Sequence, residues 1–295
     1  MRGLDYISTN TLDETCAVLA DHGSDACLLA GGTDLLLELR RPQSRRIKVI
    51  IDISRVADLR GVAESNGFII IKSLETHARL VKSDILARGA PLLSTAASMI
   101  GSRHIRNRGT IGGNIMNAAA CADTVPPLVA LGATVTLLSN HGIRKMSIAD
   151  LFAEPYRTCA HADEVLTEIA FPKPPRTIKS TFLKLGRRNA LSISRLSVAA
   201  IIQVESDGRI GDARIVPGAA FPTWARVTEA EQILIGERPS IRLFALAGEK
   251  VSDAMIARTG RRWSTEYKKP VLAVLVRRAL EQCAHPNIVM NAVKA

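Results

Sequence analysis

The sequence predicts an α+β fold in two parts: a mixed domain of short helices and strands, then a three-stranded antiparallel sheet packed against helices. Short β-branched segments alternate with helical segments over the first half of the chain. The segment Pro172-Lys-Pro-Pro175 then places three prolines where neither a helix interior nor a central strand accepts them. We therefore expect domains at 1–174 and 175–295.

The elements of the first domain follow from local signals. Thr11-Leu-Asp-Glu14 has the capping-box pattern, which predicts a helix over 11–22. A short buried strand is expected at 26–29, and beyond Gly31-Gly32 either Thr33 or Asp34 is placed to cap a helix running to about Arg41. The remaining expectations are strands at 49–53, 68–71, 134–138 and 165–171, helices at 91–100, 126–132 and 146–152, and a glycine-rich loop at 107–114.

The second domain is predicted from strands separated by turn residues, such as Asp207-Gly208. We expect strands at 180–185, 197–204 and 209–217 in an antiparallel meander, followed by helices at about 226–235, 240–257 and 264–284.

Composition excludes several classes of protein. No apolar run approaches the roughly 20 residues that span a bilayer, and no secretory signal is visible. The five cysteines are scattered without a C-x-x-C pair, which argues against a disulfide framework and favours a reducing, cytoplasmic location.

The formal net charge of +11 includes local basic clusters. These clusters are consistent with a solvated surface, with an acidic partner or ligand, or with nucleic acid, but few aromatics are available for base stacking. The clusters are Arg40, Arg41, Arg45, Arg46 and Lys48; Arg103, Arg106 and Arg108; and Arg258, Arg261 and Arg262.

Two diglycine segments are the strongest candidates for a binding site. The first, in Leu28-Leu-Ala-Gly31-Gly32-Thr33-Asp34-Leu-Leu36, would let backbone N–H groups approach an anion ahead of a helix. The second, Thr110-Ile-Gly112-Gly113-Asn114, adds a hydroxyl and an amide. Together they indicate a diphosphate held from both sides, while the alternative for the first is an ordinary tight turn capped by Thr33 or Asp34.

A small-residue stretch at 118–127 contains a third candidate, Asp123. Its carboxylate could accept bonds from ribose hydroxyls, as acidic residues do in dinucleotide folds, or it could cap the helix opened by Pro126-Pro127. No metal spacing, no G-x-S-x-G and no cysteine group for an iron–sulfur cluster is present. His77 and His104 are expected to be satisfied by the backbone, and Cys121 to fill space as a small apolar residue.

Ala30-Gly-Gly-Thr-Asp34 and Thr110-Ile-Gly-Gly-Asn114 resemble the FAD-binding subunits of the molybdenum hydroxylases, the xanthine and carbon monoxide dehydrogenase group. The likeness extends to Pro155-Tyr-Arg-Thr158, to Phe182-Leu-Lys184-Leu-Gly and to Ser264–Arg278. The resemblance implies a two-subdomain FAD-binding domain of the vanillyl-alcohol oxidase (PCMH) type, with subdomains at about 1–55 and 56–174, followed by a CO dehydrogenase flavoprotein C-terminal-like domain.

The resemblance also implies the site. FAD would lie extended with its diphosphate between the two diglycine segments, Asp123 at its ribose-adenosine part, Leu166 on the isoalloxazine ring and Lys184 near the flavin. No residue of this chain would be catalytic toward an organic substrate, and no metal would bind. The cofactor-binding residues expected on this basis are Leu28, Leu29, Ala30, Gly31, Gly32, Thr33, Asp34, Leu35, Gly101, Thr110, Gly112, Gly113, Asn114, Asp123, Leu166 and Lys184.

Electrons would arrive from [2Fe–2S] clusters on a small partner subunit and leave for NAD⁺ or another acceptor. Molybdopterin would lie on a large partner subunit, in a dimer of heterotrimers without nucleic acid or a membrane span. The sequence departs from the family pattern at Lys72, where Gly is usual, at Ser192, where Asp is usual, and at Trp224, where Pro is frequent. The rival hypothesis is a free-standing flavin oxidoreductase with its own organic substrate.

Overall fold

The computed structural model describes residues 4–41, 47–188 and 190–284, and it has the predicted α+β class. Arg45 and Arg46 of the first basic cluster lie outside the described residues. The strands are β1 (Asp5–Ser8), β2 (Ala26–Leu29), β3 (Val49–Asp52), β4 (Val62–Ser65), β5 (Phe68–Lys72), β6 (Thr134–Ser139), β7 (Gly142–Ser147), β8 (Phe152–Glu154), β9 (Arg157–Thr158), β10 (Val165–Pro172), β11 (Ile178–Leu185), β12 (Leu196–Val204) and β13 (Ile210–Gly218). The helices are α1 (Leu12–His22), α2 (Leu35–Glu38), α3 (His77–Lys82), α4 (Asp84–Gly89), α5 (Pro91–Ser98), α6 (Arg103–Arg108), α7 (Ile111–Asn117), α8 (Val125–Ala130), α9 (Thr228–Leu234), α10 (Ile241–Thr259) and α11 (Thr265–Ala284).

The N-terminal sheet has three parallel strands in the order β1-β3-β2. The capping box forms as predicted: the Thr11 hydroxyl accepts the Glu14 N–H at 3.2 Å, and the Glu14 carboxylate accepts the Asn10 N–H at 2.7 Å. Helix α2 ends at Glu38, three residues short of the expected end, because none of its residues is buried and packing gives it no support. Strand β2 is therefore followed by an irregular segment, residues 30–34, and then by only one helical turn.

The second sheet has five strands in the antiparallel order β4-β5-β10-β6-β7. Its core continues into the helices α3, α4, α5, α7 and α8. Two predictions fail here. The segment 146–152 is not a helix, because β7 pairs with β6 through Ser147, and a 3₁₀ turn at Ile148–Leu151 follows.

The second failure is the loop predicted at 107–114. Residues 103–108 form α6, and α7 begins at Ile111, so the second diglycine lies in the first turn of a helix. The Thr110 hydroxyl caps this helix by accepting the Gly113 N–H at 3.1 Å. Glycine's poor helix propensity concealed this helix in the sequence, and tertiary hydrogen bonds override that propensity.

The C-terminal strands form the predicted antiparallel meander β11-β12-β13. Residues alternate between the two faces of this sheet: Val198 and Ala200 pack in the core with α10 and α11, whereas Ala199 and Ile201 pack in the core of the N-terminal part. Because the sheet is covered on both faces, side chains of β11 that point toward the N-terminal part are brought against its helices. Among the described residues, no helix is both long and apolar enough to cross a membrane.

Candidate functional site

The segment after β2, which we call the first bend (residues 30–35), presents unpaired backbone donors. Within the described chain, the N–H groups of residues 30–35 donate to no protein acceptor. Gly32 has φ +72°, a left-handed conformation that turns successive N–H groups toward one side. A run of unpaired N–H groups of this kind is a concave anion-binding feature. Asp34 occupies the N-cap position of α2, but its side chain makes no capping bond, so the alternative of an ordinary capped turn is not supported.

The second bend (residues 109–114) lies directly against the first. A Cβ atom on Gly31 would stand 2.1 Å from the carbonyl oxygen of Arg108 and 3.0 Å from the Cα of Gly109. No side chain fits such a gap, so the two segments meet backbone to backbone. The expectation that the two diglycine motifs share one place in the fold is therefore met in the structure.

The second bend does not supply free backbone donors. The N–H of Gly112 donates to the carbonyl of Ser73 at 2.8 Å, and that of Ile111 donates to the carbonyl of Glu75 at 2.9 Å. The Gly113 N–H is taken by Thr110, as described above. What this segment offers a ligand is a surface without side chains at Gly113, which is exposed, beside the Thr110 hydroxyl and the Asn114 amide.

His77 holds the second bend from behind. The backbone N–H of His77 donates to the carbonyl of Gly109 at 3.0 Å. The imidazole packs against the same glycine: a Cβ atom added to Gly109 would lie 3.2 Å from Cδ2 of His77. The imidazole is 2% exposed, and its Nδ1 has no hydrogen-bond partner among the described residues, so the expected backbone partner for the side chain is absent. Burial lowers the pKa of His77 to about 4, with a further contribution from the charge of Arg106.

A folded-state pKa below the ordinary value of about 6.5 means that the unfolded chain binds the proton more readily than the folded chain. His77 therefore lowers the free energy of unfolding as pH falls from about 6.5 toward about 4, by up to about 1.4 kcal/mol per pH unit. We expect the His77→Gln variant to lose this part of the pH dependence in urea unfolding between pH 7 and 4.5. His104→Gln, a change at an exposed histidine on α6, is the control that should behave as wild type.

Asp123 and Lys184 form a buried ion pair at the junction of the two domains. Lys184 Nζ lies 2.6 Å from Asp123 Oδ2 and donates to the Met99 carbonyl at 2.9 Å, while the Ser194 hydroxyl donates to Asp123 Oδ1 at 2.5 Å. Burial raises the pKa of the Asp123 carboxyl, and the Lys184 ammonium opposes that rise. Asp123 does not cap α8, whose N-cap is Thr124 with no side-chain capping bond.

This contact joins two residues that the sequence analysis assigned separately. Asp123 was expected at the ribose-adenosine part of FAD and Lys184 near the flavin. Their side chains lie 2.6 Å apart, and the part of the cofactor that each would contact remains a prediction. Lys184 follows Phe182 on the β11 face that points toward the N-terminal core, a placement that strand alternation predicts. No feature of the sequence predicted that Ser194 and the Met99 carbonyl would bond to this ion pair.

The remaining predicted residues lie around the same place. Asn114 Oδ1 accepts the Thr124 hydroxyl at 2.7 Å, which joins the second bend to the Asp123 segment. Burial raises the pKa of Cys121, and the charges of Asp123, Lys184 and Asp34 act on the same thiol. Gly101, with φ +41°, lies two residues beyond Met99. Leu166 is 4% exposed in β10, beside an irregularity in its pairing with β6, and its contact with a flavin remains a prediction.

The three departures from the family pattern have structural counterparts. Lys72 pairs with Glu168 across β5 and β10 at 2.8 Å. The Ser192 hydroxyl donates to the Arg188 carbonyl at 3.1 Å, and a Cβ atom on Gly186 would clash with it. Trp224 is buried edge-to-face against Phe152, with ring centroids 4.5 Å apart, and fills space between the two domains.

Comparison with known proteins identifies the family. The family model described as FAD binding domain in molybdopterin dehydrogenase matches residues 2–174, and the model described as CO dehydrogenase flavoprotein C-terminal domain matches residues 181–283. The chain belongs to the FAD-binding medium subunits of the molybdenum hydroxylases. Members of this family are components of oxidoreductases.

Individual relatives cover nearly the whole chain. The 6-hydroxypseudooxynicotine dehydrogenase complex subunit alpha of Paenarthrobacter nicotinovorans is 31% identical over 95% of this chain and 94% of its own. The xanthine dehydrogenase FAD-binding subunit of Escherichia coli O157:H7 is also 31% identical, over 94% of each. A solved carbon monoxide dehydrogenase of Hydrogenophaga pseudoflava superposes with a TM-score of 0.88 at 28% identity, over 95% of this chain and 96% of that one.

The residues in place suit the cofactor of this family. A diphosphate needs several donors that approach without Cβ obstruction, and the first bend supplies them as unpaired N–H groups. In the neighbouring second bend, Gly113 is exposed and adds a surface without a side chain. The donor set of the site therefore suits the diphosphate of FAD.

Proposed function

We propose that this chain carries electrons from [2Fe–2S] clusters of a small partner subunit, through FAD, to NAD⁺ or another acceptor. FAD supplies the chemistry of accepting single electrons and releasing a pair. The observation that carries the proposal is the run of unpaired N–H groups in residues 30–35, packed against the second bend. Nothing else within the described chain satisfies these donors, and an anionic cofactor would.

Each part of the site has a distinct task in this proposal. The first bend binds the diphosphate through backbone N–H groups, and Thr110 and Asn114 contact it from the other side. Lys184 and Asp123 form a fixed charge pair at the edge of the isoalloxazine system. An ammonium held there would stabilise negative charge on the reduced cofactor, which is how a protein tunes a flavin's potential.

The rival, a flavin oxidoreductase acting on its own organic substrate, needs an acid or base beside the ring. Three of the described titratable side chains around the site are poorly suited to this role, because Asp123 and Lys184 neutralise each other and His77 is buried behind Gly109. This arrangement favours an electron-transfer role. Turnover of an organic donor by the isolated chain, without partner subunits, would favour the rival.

The assembly is part of the same proposal. We infer association with the small subunit and with a large molybdopterin subunit, as a dimer of heterotrimers. Two relatives are named as a medium subunit and a medium chain, of nicotine 6-hydroxylase and of carbon monoxide dehydrogenase. We further propose a boundary between residues 174 and 175, subdomains at 1–55 and 56–174, and a cytoplasmic location.

Gly113→Val tests the cofactor site with little expected damage to the fold. Gly113 lies in a helical turn, and a Cβ atom there would meet only the Thr110 hydroxyl, at 3.0 Å, so a valine projects toward the proposed diphosphate rather than into the protein. We expect the purified wild-type chain to show the absorption of oxidised flavin at one FAD per chain. The variant should lose most of that FAD.

Measuring the free energy of unfolding of the FAD-free proteins separates a loss of FAD binding from a loss of fold stability. A valine in a helical first turn is expected to change the free energy of unfolding by no more than about 1 kcal/mol. FAD at wild-type stoichiometry in Gly113→Val would refute the assignment of this segment. A wild-type chain purified natively without extractable FAD would refute the function.

A further inference from the structure

Three strained backbone positions meet at the segment that follows α7, residues 118–121. Ala118 has φ +48° and ψ +31°, a left-handed conformation that is uncommon for residues with a side chain. Its carbonyl accepts the N–H of Tyr156, which has φ +65°, at 2.8 Å. The Ala120 carbonyl accepts the N–H of Ala219, which has φ +55°, at 3.2 Å. Because left-handed backbone is unfavourable for residues with a Cβ atom, the fold keeps strain at this segment.

The carbonyls of this segment are paired, whereas two of its N–H groups are not. The Ala119 carbonyl accepts the Ala122 N–H at 2.7 Å, so three consecutive carbonyls have protein partners. Within the described chain, the N–H groups of Ala119 and Ala120 donate to no protein acceptor. Ala119 is only 9% exposed, and an enclosed backbone donor is unfavourable until an acceptor reaches it.

The paired carbonyls fix the direction of the two unpaired donors. In a trans peptide the carbonyl of one residue and the N–H of the next point in opposite directions, and no cis peptide occurs in the described part of the chain. The Ala119 N–H therefore points away from Tyr156, and the Ala120 N–H points away from Ala122. Donors that are already oriented lose less entropy when a ligand binds them.

The segment lies at the end of α7 that is remote from the second bend. Gly113 is in the first turn of this helix and Ala118 is at its C-cap, about 7.5 Å along the axis at 1.5 Å per residue. In the other direction the segment leads into Asp123, whose carboxylate pairs with Lys184. Along the chain, the two unpaired donors therefore lie between the proposed diphosphate site and the buried ion pair.

Lys268 of α11 supports the segment from the C-terminal domain. Its ammonium donates to the carbonyl of Ala219 at 2.7 Å, and Ala219 in turn holds the Ala120 carbonyl. Among the described residues, no carboxylate lies within ion-pair distance of Lys268. Burial lowers the pKa of Lys268, and the charges of Arg195 and Arg262 add to that effect. A half-buried ammonium without a counter-charge is unfavourable, so its retention at this contact points to a positioning role.

We propose that the N–H groups of Ala119 and Ala120 are a second donor pair for FAD, which hydrogen-bonds carbonyl oxygens of the isoalloxazine ring, and that Lys268 is their positioning residue. The inference rests on the proposed function and deepens it by adding a contact beyond the diphosphate. Ring carbonyl oxygens take up negative charge when the flavin is reduced, so N–H groups that face them favour the reduced form. The small side chains of the two alanines leave room for a flat ring.

Amide hydrogen exchange of the full FAD-free chain, with and without ligand, tests the contact directly. We expect FAD to slow exchange at 119 and 120 by about tenfold or more, as for donors that gain an enclosed hydrogen bond. ADP carries the diphosphate and adenosine without a flavin, so it should slow exchange in residues 30–35 only. Protection of 119 and 120 by ADP would overturn the assignment to the ring, and equal rates with and without FAD would overturn the contact.

Lys268→Met tests the positioning role in the FAD-loaded chain. We expect wild-type FAD content, because the diphosphate site is unchanged, and a shift of the flavin midpoint potential to a lower value, because the donor pair is held less firmly. Lys268→Arg keeps a donor for the Ala219 carbonyl and should restore the potential. Lys269→Met is the matched control, since that lysine pairs with Asp253 at 3.1 Å on the surface. A wild-type potential in Lys268→Met would contradict the positioning role.

Failure of the proposed function would give a different result. A natively purified wild-type chain that binds neither FAD nor ADP would refute the cofactor site as a whole. FAD that protects residues 30–35 but not 119 and 120 would leave the diphosphate site intact and remove this inference alone.

Discussion

The Gly31→Ala variant is expected to lose FAD and to unfold more easily than the wild type. The methyl group would lie 2.1 Å from the carbonyl oxygen of Arg108, a backbone atom that cannot rotate away. The two bends must therefore separate, and the N–H groups of the first bend would no longer face the second. Forcing an extra carbon into a packed contact costs about 1–3 kcal/mol, and the diphosphate would lose its opposite wall.

The measurement is FAD per chain after native purification, together with the free energy of unfolding of the FAD-free protein. Gly236→Ala is a control matched for destabilisation. Gly236 has φ +82° and open space around it, so alanine costs about 1–2 kcal/mol through backbone strain alone, remote from the site. If both variants lost FAD equally, general instability rather than separation of the bends would be the cause.

Local sequence signals predicted those elements that are stabilised by contacts between residues close together in the sequence. The capping box at Thr11 and the meander around Asp207-Gly208 formed as expected, because side-chain caps and two-residue turns act over short distances. Strand β1 and helices α6 and α7 were missed. Their stability comes from partners distant in sequence, such as β3 for β1 and the carbonyls of Ser73 and Glu75 for α7.

The same distinction applies to the site. Two diglycine motifs indicated a shared diphosphate, and the structure brings Gly31 against Gly109. The sequence could not show which bend keeps its backbone N–H groups unpaired, because carbonyls of the segment at 73–77 accept those of the second bend. The contact between Asp123 and Lys184 was also not predicted, since no rule of spacing joins residues 61 positions apart.

Substitution of one partner of the Asp123–Lys184 pair is expected to change the free energy of unfolding the most, because both side chains are more than 90% buried. Removing one partner leaves an uncompensated charge in the interior, which costs about 3–5 kcal/mol. Lys184→Met leaves Asp123 with Ser194 alone, so burial raises the pKa of that carboxyl with only the Ser194 hydrogen bond to oppose it. A carboxyl whose folded-state pKa is raised contributes stability below its unfolded pKa and loses it as pH rises. The deficit of Lys184→Met should therefore be small near pH 4 and grow toward pH 7, as measured by urea unfolding.

The double variant Asp123→Asn with Lys184→Met separates structure from cofactor chemistry. With both charges gone, the double variant should be more stable at pH 7 than either single variant, because a neutral pair carries no buried charge. The flavin potential of Lys184→Met should be lower than that of the wild type, since the ammonium is lost while the Asp123 carboxylate remains, and the double variant, which loses both charges, should lie closer to the wild type. An unchanged potential in Lys184→Met would place the pair away from the flavin and assign it to the junction of the domains alone. Single and double variants of equal stability would show instead that the two charges do not interact in solution.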